Sequence, residues 1–171
     1  MKRRMEITLV KRQVSAVAEL QATLAPKICD LVWQALPVEG PAFHAKRSNN
    51  EVYTLAAPFG PGEPMPENAT IFPIPGDVAY FHLPPVKVGN YVTALKPYLE
   101  PALYEPAPVT GLADLGIFYG RNNFLFGPLG PGPGSVFATI IEGLAPFAAA
   151  CTDVWHAGAV GERIRFARLG A

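Results

Sequence analysis

The chain has 171 residues, with 14 Lys+Arg against 14 Asp+Glu and only 16% charged residues, well under the roughly 25% of an average soluble domain. Zero net charge and so few charges leave no electrostatic footprint for nucleic acid or an anionic membrane surface, so both drop out as partners. Half the residues are hydrophobic, and 16 Gly with 19 Pro announce many turns in one ordinary-sized domain over 1–171 rather than low-complexity disorder.

Met1-Lys2-Arg3-Arg4 looks like a basic leader, but Met5 to Val10 alternates instead of supplying an apolar signal-peptide run. Glu6 to Val10 and Val14 to Leu20 alternate apolar and polar residues around Lys11-Arg12-Gln13, the signature of an antiparallel hairpin with one buried face. From Pro26, where a first-turn proline is tolerated, Ile28, Leu31, Val32, Ala35 and Leu36 fall on one stripe. That spacing predicts an amphipathic helix stopped by Pro37 and Gly40. Phe43 to Arg47 and Val52 to Leu55 flank Ser48-Asn49-Asn50-Glu51, a second hairpin with a polar tip. A Pro/Gly-rich connection over 56–76 leads to a short strand from Asp77 to Phe81.

Residues 83–116 carry Pro84, Pro85, Pro97, Pro101, Pro106 and Pro108 among Val86, Tyr91, Leu95, Tyr98, Leu103 and Tyr104. That is too apolar for a disordered linker and too proline-broken for long elements, so an ordered insertion is expected there. A strand at 117–119, a Gly/Pro loop from Gly127 to Gly134 and a buried strand from Val136 to Ile141 follow. A helix with Leu144, Phe147, Ala148, Cys151 and Trp155 on one face comes next, then an alternating strand from Arg163 to Leu169. The pattern predicts a mainly β fold with two helices, an antiparallel β-barrel plugged at its ends. Cys29 and Cys151 lie in apolar helical surroundings and read as reduced core residues, not a disulfide framework. No stretch suits a membrane span, the most hydrophobic one, 144–154, being broken by Pro146, Thr152 and Asp153. The expected location is the cytoplasm.

Ala25-Pro26-Lys27 opening the first helix, Phe43-His44 on the next strand, and Gly127-Pro128 through Gly134-Ser135-Val136-Phe137 resemble the cyclophilins, in the same order and over most of the chain. Phe43 to Arg47, Pro66-Glu67-Asn68-Ala69-Thr70, Pro73 to Asp77, Phe118-Tyr119-Gly120-Arg121 and Phe137 to Gly143 are similar to a cyclophilin-like family of unknown function, the DUF3830 type. The resemblance implies a cyclophilin-like closed antiparallel β-barrel with a surface groove. It also marks a departure. In the cyclophilin pattern an arginine directly follows the Phe-His pair and places its guanidinium against the X-Pro amide, whose rotational barrier is about 20 kcal/mol. Here that position is Ala45, and Arg47 lies two residues on, about 6–7 Å along the same strand face. Val136 and Ala138 fall where that pattern has a glutamine and a second phenylalanine. No prolyl isomerase activity is expected.

The ligand-binding candidates are His44, Arg47, Glu51, Tyr119 and Arg121, from strands or strand ends that such a barrel would gather on one wall, with Asn68, Thr70, Asn122 and Asn123 as further polar groups. Each also has a plain structural role: His44 bonded within the wall, Arg47 and Glu51 as a hairpin ion pair, and Glu67 to Thr70 and Arg121 to Asn123 as turns. The expected ligand is a small organic molecule or short peptide. The enzyme alternative is a hydrolase or isomerase with His44 or Glu51 as base and Arg47 as clamp. His44, His82 and His156 lack metal-ligand spacing, and no P-loop, dinucleotide or Gly-x-Ser-x-Gly pattern occurs, so no metal or cofactor is implied. The apolar insertion leaves more hydrophobic surface than an 18.3 kDa barrel hides with ease, which predicts either a lid folded back over the groove or, the favoured expectation, a homo-oligomer with the insertion at or near the interface.

Overall fold

The computed structural model describes residues 2–62, 64–127 and 130–170, and the side chains of 90–92 and 95 stand outside the description. Tyr91, Leu95 and Pro128 are therefore among the expectations that lie outside the described groups. Strands β1 (Arg4–Leu9) and β2 (Val14–Leu20) pair antiparallel in register from Arg4↔Glu19 to Leu9↔Val14. Their alternation buries Met5, Ile7, Leu9, Ala16, Ala18 and Leu20, as a half-buried hairpin should. Helix α1 (Pro26–Ala35) buries Ile28, Cys29 and Val32 on the predicted stripe.

Pro37 ends that helix, but the residues around Gly40 are not a loop, because β3 (Val38–Pro41) pairs with the last strand of the chain. Phe43–His44 forms only the two-residue β4, paired with β5 (Glu51–Ala56). Residues 46–50 bend away after it, so the strand expected to carry Ala45 and Arg47 on one face stops at His44. Next come β6 (Ala69–Thr70) and β7 (Asp77–Leu83).

The insertion is helical: α2 (Pro85–Leu95), α3 (Pro101–Tyr104) and α4 (Ala107–Thr110). Its prolines stand mostly at helix starts, Pro85 and Pro101 as first residues and Pro106 at an N-cap, where the missing N–H has no helical partner to lose. It ends at Gly111, and β8 (Leu112–Phe118) begins inside the span read as insertion. The small hairpin of β9 (Phe126–Gly127) and β10 (Gly130–Pro131), then β11 (Gly134–Glu142), α5 (Leu144–Ala157) and β12 (Arg163–Arg168) complete the chain. The described residues thus hold five α-helices against the expected two, three of them in the insertion.

The main sheet runs β3-β12-β1-β2-β11-β7-β8-β5-β4, with β6 against β11, and its neighbours pair antiparallel. The path does not return on itself: β3 and β4, its two ends, share no ladder, so the expected closed barrel is instead a sheet not closed by hydrogen bonds. It wraps a core of Ile7, Leu9, Val52, Val78, Leu115, Ile117, Phe137 and Phe166, sealed by Ile28 and Val32 of α1 and by Phe147, Cys151 and Val154 of α5. A second cluster forms where the insertion folds back on the outer face of the sheet: Leu55, Val88, Leu99, Ala107 and Leu112, flanked by Phe43, Tyr53, Leu83, Leu103 and Tyr104. Both cysteines are free and buried. No described helix is long and apolar enough to cross a membrane.

Candidate functional site

Successive side chains of a strand point to opposite faces, and on β5, β8 and β7 this sorts the chemistry. Val52, Val78, Tyr80, Leu115 and Ile117 point into the main core. Glu51, Tyr53 and Leu55, Asp114, Gly116 and Phe118, and Ala79, Phe81 and Leu83 belong to the alternate positions, under and beside the insertion. In the ladders Leu55 and Phe81 lie opposite Asp114, Tyr53 and Ala79 opposite Gly116, and Glu51 opposite Phe118. An open cavity of about 1410 Å³ runs over this face and on to Ile28, Tyr80 and residues 159–163, and over the face it is lined among others by Phe43, Tyr53, Phe81, Leu83, Val86 and Tyr98, by Ser48, Glu51 and Asp114, and by Lys46 and Arg47. Phe43 and Tyr53 stack at 5.3 Å on its wall.

Two glycines make the floor possible. A Cβ on Gly116 would lie 2.6 Å from Glu51 Oε1 and 3.2 Å from the Phe81 ring. A Cβ on Gly134 would lie 2.6 Å from the same ring. Phe81 therefore spans two bare backbone positions, and the Glu51 carboxyl lies against Gly116, two residues along β8 from Asp114 on the same face.

Glu51 is only 5% exposed. Burial pushes its carboxyl up to about 7, partly offset by the hydrogen bond from Ser48. Asp114 is raised well above the ordinary aspartate range, first by burial and then by the charge of Glu51. Its Oδ1 is buried with no hydrogen-bond partner. Neither carboxyl is in an ion pair of the described residues, so the hairpin pair expected between Arg47 and Glu51 is replaced by the bond to Ser48. Each carboxyl thus makes ionisation of the other harder.

His44, also a lining residue of the cavity, meets Tyr119 by the end of α5. His44 Nε2 lies 2.6 Å from Tyr119 Oη, and Nδ1 lies 3.0 Å from the Ala45 carbonyl oxygen. The imidazole packs on Trp155 at 4.6 Å. Burial lowers the His44 pKa against the opposing pull of the Ala45 carbonyl, and burial raises Tyr119 to about 12. The consistent assignment is a neutral imidazole whose Nδ1–H donates to Ala45 and whose Nε2 accepts from the Tyr119 hydroxyl. Both ring nitrogens are thus engaged.

His44, Arg47 and Glu51 line the cavity, and Tyr119 and Arg121 are not among its described lining residues. Arg121 is exposed, and its carbonyl accepts from Asn50 Nδ2 at 2.7 Å. Asn49 Nδ2 donates to Asn122 O, Asn123 Oδ1 accepts from the Asn50 amide, and Asn123 Nδ2 donates to Gly120 O. These bonds tie the turn before β5 to the turn after β8. Asn68 Nδ2 donates to Val136 O, and Thr70 Oγ1 accepts from the Phe72 amide. Asn68, Thr70, Asn122 and Asn123 hold loops. Asp114 is the residue the sequence reading passed over, and its signal was one acid in the apolar run Leu112-Ala113-Asp114-Leu115-Gly116-Ile117-Phe118. Among the described residues no group of three or more His, Cys, Asp or Glu is arranged to hold a metal ion.

The fold is thus a mainly β antiparallel sheet wrapped round an apolar core, with a groove that runs over the outer face of β5, β8 and β7. Residues 7–166 match the family described as "Protein of unknown function (DUF3830)", and the chain belongs to that family. Among solved structures it superposes on McbB, solved in complex with tryptophan, with a TM-score of 0.61 and 18% identity over 98% of this chain. The match covers 45% of McbB, so the chain spans under half the length of that protein. A search of curated proteins finds no match.

Proposed function

We propose that the chain binds a small organic molecule in the groove over β5, β8 and β7, without prolyl isomerase activity. The observation that carries this reading is the cavity of about 1410 Å³ that combines aromatic walls with two adjacent buried carboxyls on its floor. A mainly apolar concave site with a few convergent polar groups of perturbed pKa is the usual form of a ligand pocket. Support for the fold's capacity comes from McbB, which was solved with tryptophan. The absence of an arginine at Ala45 removes the guanidinium that an isomerase needs against the X-Pro amide. The same groove, open along the insertion, also suits a short peptide, and an enzyme reading is favoured by one feature: the raised Glu51 carboxyl fits a general base working near neutral pH, with Arg47 on the rim as the clamp for a substrate anion. His44, with both ring nitrogens bonded, is the weaker base.

A thermal-shift screen over metabolites, paired with a coupled X-Pro isomerisation assay, tests the proposal. A ligand at about 100 times its Kd adds about 2.7 kcal/mol. The expected outcome is at least one stabilising ligand whose effect is lost in Val86→Trp, which fills the exposed rim, together with background isomerisation rates. A hit insensitive to Val86→Trp moves the site elsewhere, and catalysed exchange at a cyclophilin-like rate overturns the negative claim.

A further inference from the structure

Glu51 is 5% exposed, Asp114 Oδ1 is buried without a hydrogen-bond partner, both line the cavity, and neither has a cation beside it among the described residues. Buried carboxyls are normally paired, because an uncompensated charge or an orphaned acceptor in a low-dielectric site is costly. What is missing here is a donor of positive charge that reaches both groups at once, from the cavity side. We propose that the groove recognises an organic ammonium ion with an apolar or aromatic body, its N–H groups bonded to Glu51 and Asp114; this rests on the small-molecule reading above.

An ammonium group brings three donors, enough to meet the open Asp114 Oδ1 and the Glu51 carboxyl together. Gly116 leaves its strand position bare between the two acids, so a head group meets backbone there, not a side chain. The stacked Phe43 and Tyr53 rings and Phe81, which line the cavity, then offer aromatic surface for the body of the ligand. Two carboxyls alone fall short of the six to eight oxygens that calcium takes, which favours an organic cation over a metal ion. The rival is an anion, since Lys46 and Arg47 stand at the exposed rim, where solvent screens them more than it screens the floor.

Isothermal titration calorimetry on the full chain with phenethylammonium chloride, phenethyl alcohol and sodium hydrocinnamate separates these cases, since the three share a phenyl body and differ in head group. The ammonium is expected to bind about tenfold or more tighter than the alcohol, and hydrocinnamate more weakly still. Glu51→Gln and Asp114→Asn should each shrink the ratio of ammonium to alcohol affinity several-fold. Both are near-isosteric, and circular dichroism checks their fold. Equal binding of ammonium and alcohol, tightest binding of hydrocinnamate, or an ammonium preference that neither substitution shrinks overturns the inference and leaves the groove reading standing. If none of the three binds and the metabolite screen also yields no groove ligand, both fall together; if the screen yields one that carries no ammonium, only this inference falls.

Discussion

Ionising Glu51 in the folded chain works against its desolvation and against Asp114, so the folded state holds protons that the unfolded chain has released. A folded carboxyl raised to about 7, against about 4.3 for an unperturbed glutamate, stabilises the fold fully below the unfolded value, and that contribution is lost as pH rises through the folded one. Asp114, raised for the same reasons, acts in the same sense. His44 acts in the other: its lowered pKa means the fold resists its protonation, and stability falls as pH drops below the usual histidine range. Glu51→Gln should therefore match the wild type near pH 4 and exceed it in stability above about pH 7, as measured by urea unfolding across that range. A variant whose stability difference does not change with pH would show that Glu51 ionises freely in the folded chain.

At the scale of elements, α1 starts without a cap of its own. Its N-cap is Ala25, with no side-chain bond and no acidic residue in the first turn. The missing acceptor comes from the distant loop, where Glu67 Oε2 takes the Ile28 amide hydrogen at 2.9 Å. A carboxylate at a helix N-terminus both accepts an orphan N–H and meets the positive end of the helix dipole. Glu67→Ala should cost about 1–2 kcal/mol by urea unfolding at unchanged m-value, and Glu67→Gln should recover part of it. No loss would mean that water replaces the carboxylate. This contact shows how far the sequence was legible. The first hairpin, α1, α5 and β12 declared themselves by period, because each has one face in the core and one in water. β8 did not, since the core covers one of its faces and the insertion the other, and a strand buried twice has no alternation to read. Asp114 was lost with it. β3 was missed because Pro37 and Gly40 are as good at ending a helix as at flanking a short edge strand, and Glu67 because a cap supplied from about forty residues away leaves no local motif.

For the whole molecule, the insertion decides how much apolar surface is left over. Val88, Leu99, Leu103 and Tyr104 pack back on the sheet beside Leu55 and Leu112, so part of what the composition left unexplained is covered within the chain. Val86, Tyr98 and Val109 remain 87%, 63% and 81% exposed. Val86 and Tyr98 also line the groove, while Val109 lies outside its described lining, and the oligomer expected from the sequence would cover all three with a second copy. Size-exclusion chromatography with light scattering at micromolar concentration should give an oligomer for the full chain and a smaller species when 84–110 are replaced by a short Gly/Ser turn. A monomeric full chain removes the idea, and an oligomer that survives the replacement moves the interface to another face.

The open ends of the sheet have a mechanical meaning. β3 and β4 are separated in sequence by Ala42 alone, whose amide bonds to Glu162 O. At this seam the backbone of Gly40 lies against Thr54 of β5, with no room for a side chain. A hydrogen-bonded ladder fixes two strands in discrete register steps, whereas a van der Waals contact slides by fractions of an ångström at little cost. The wall behaves as a split ring, not a hoop. β5 is held by β8 along its whole length and by β4 at Val52 and Tyr53, so the part that carries Glu51 and Tyr53 is laddered on both sides and only its far half, around Thr54, rests on the unladdered seam with β3.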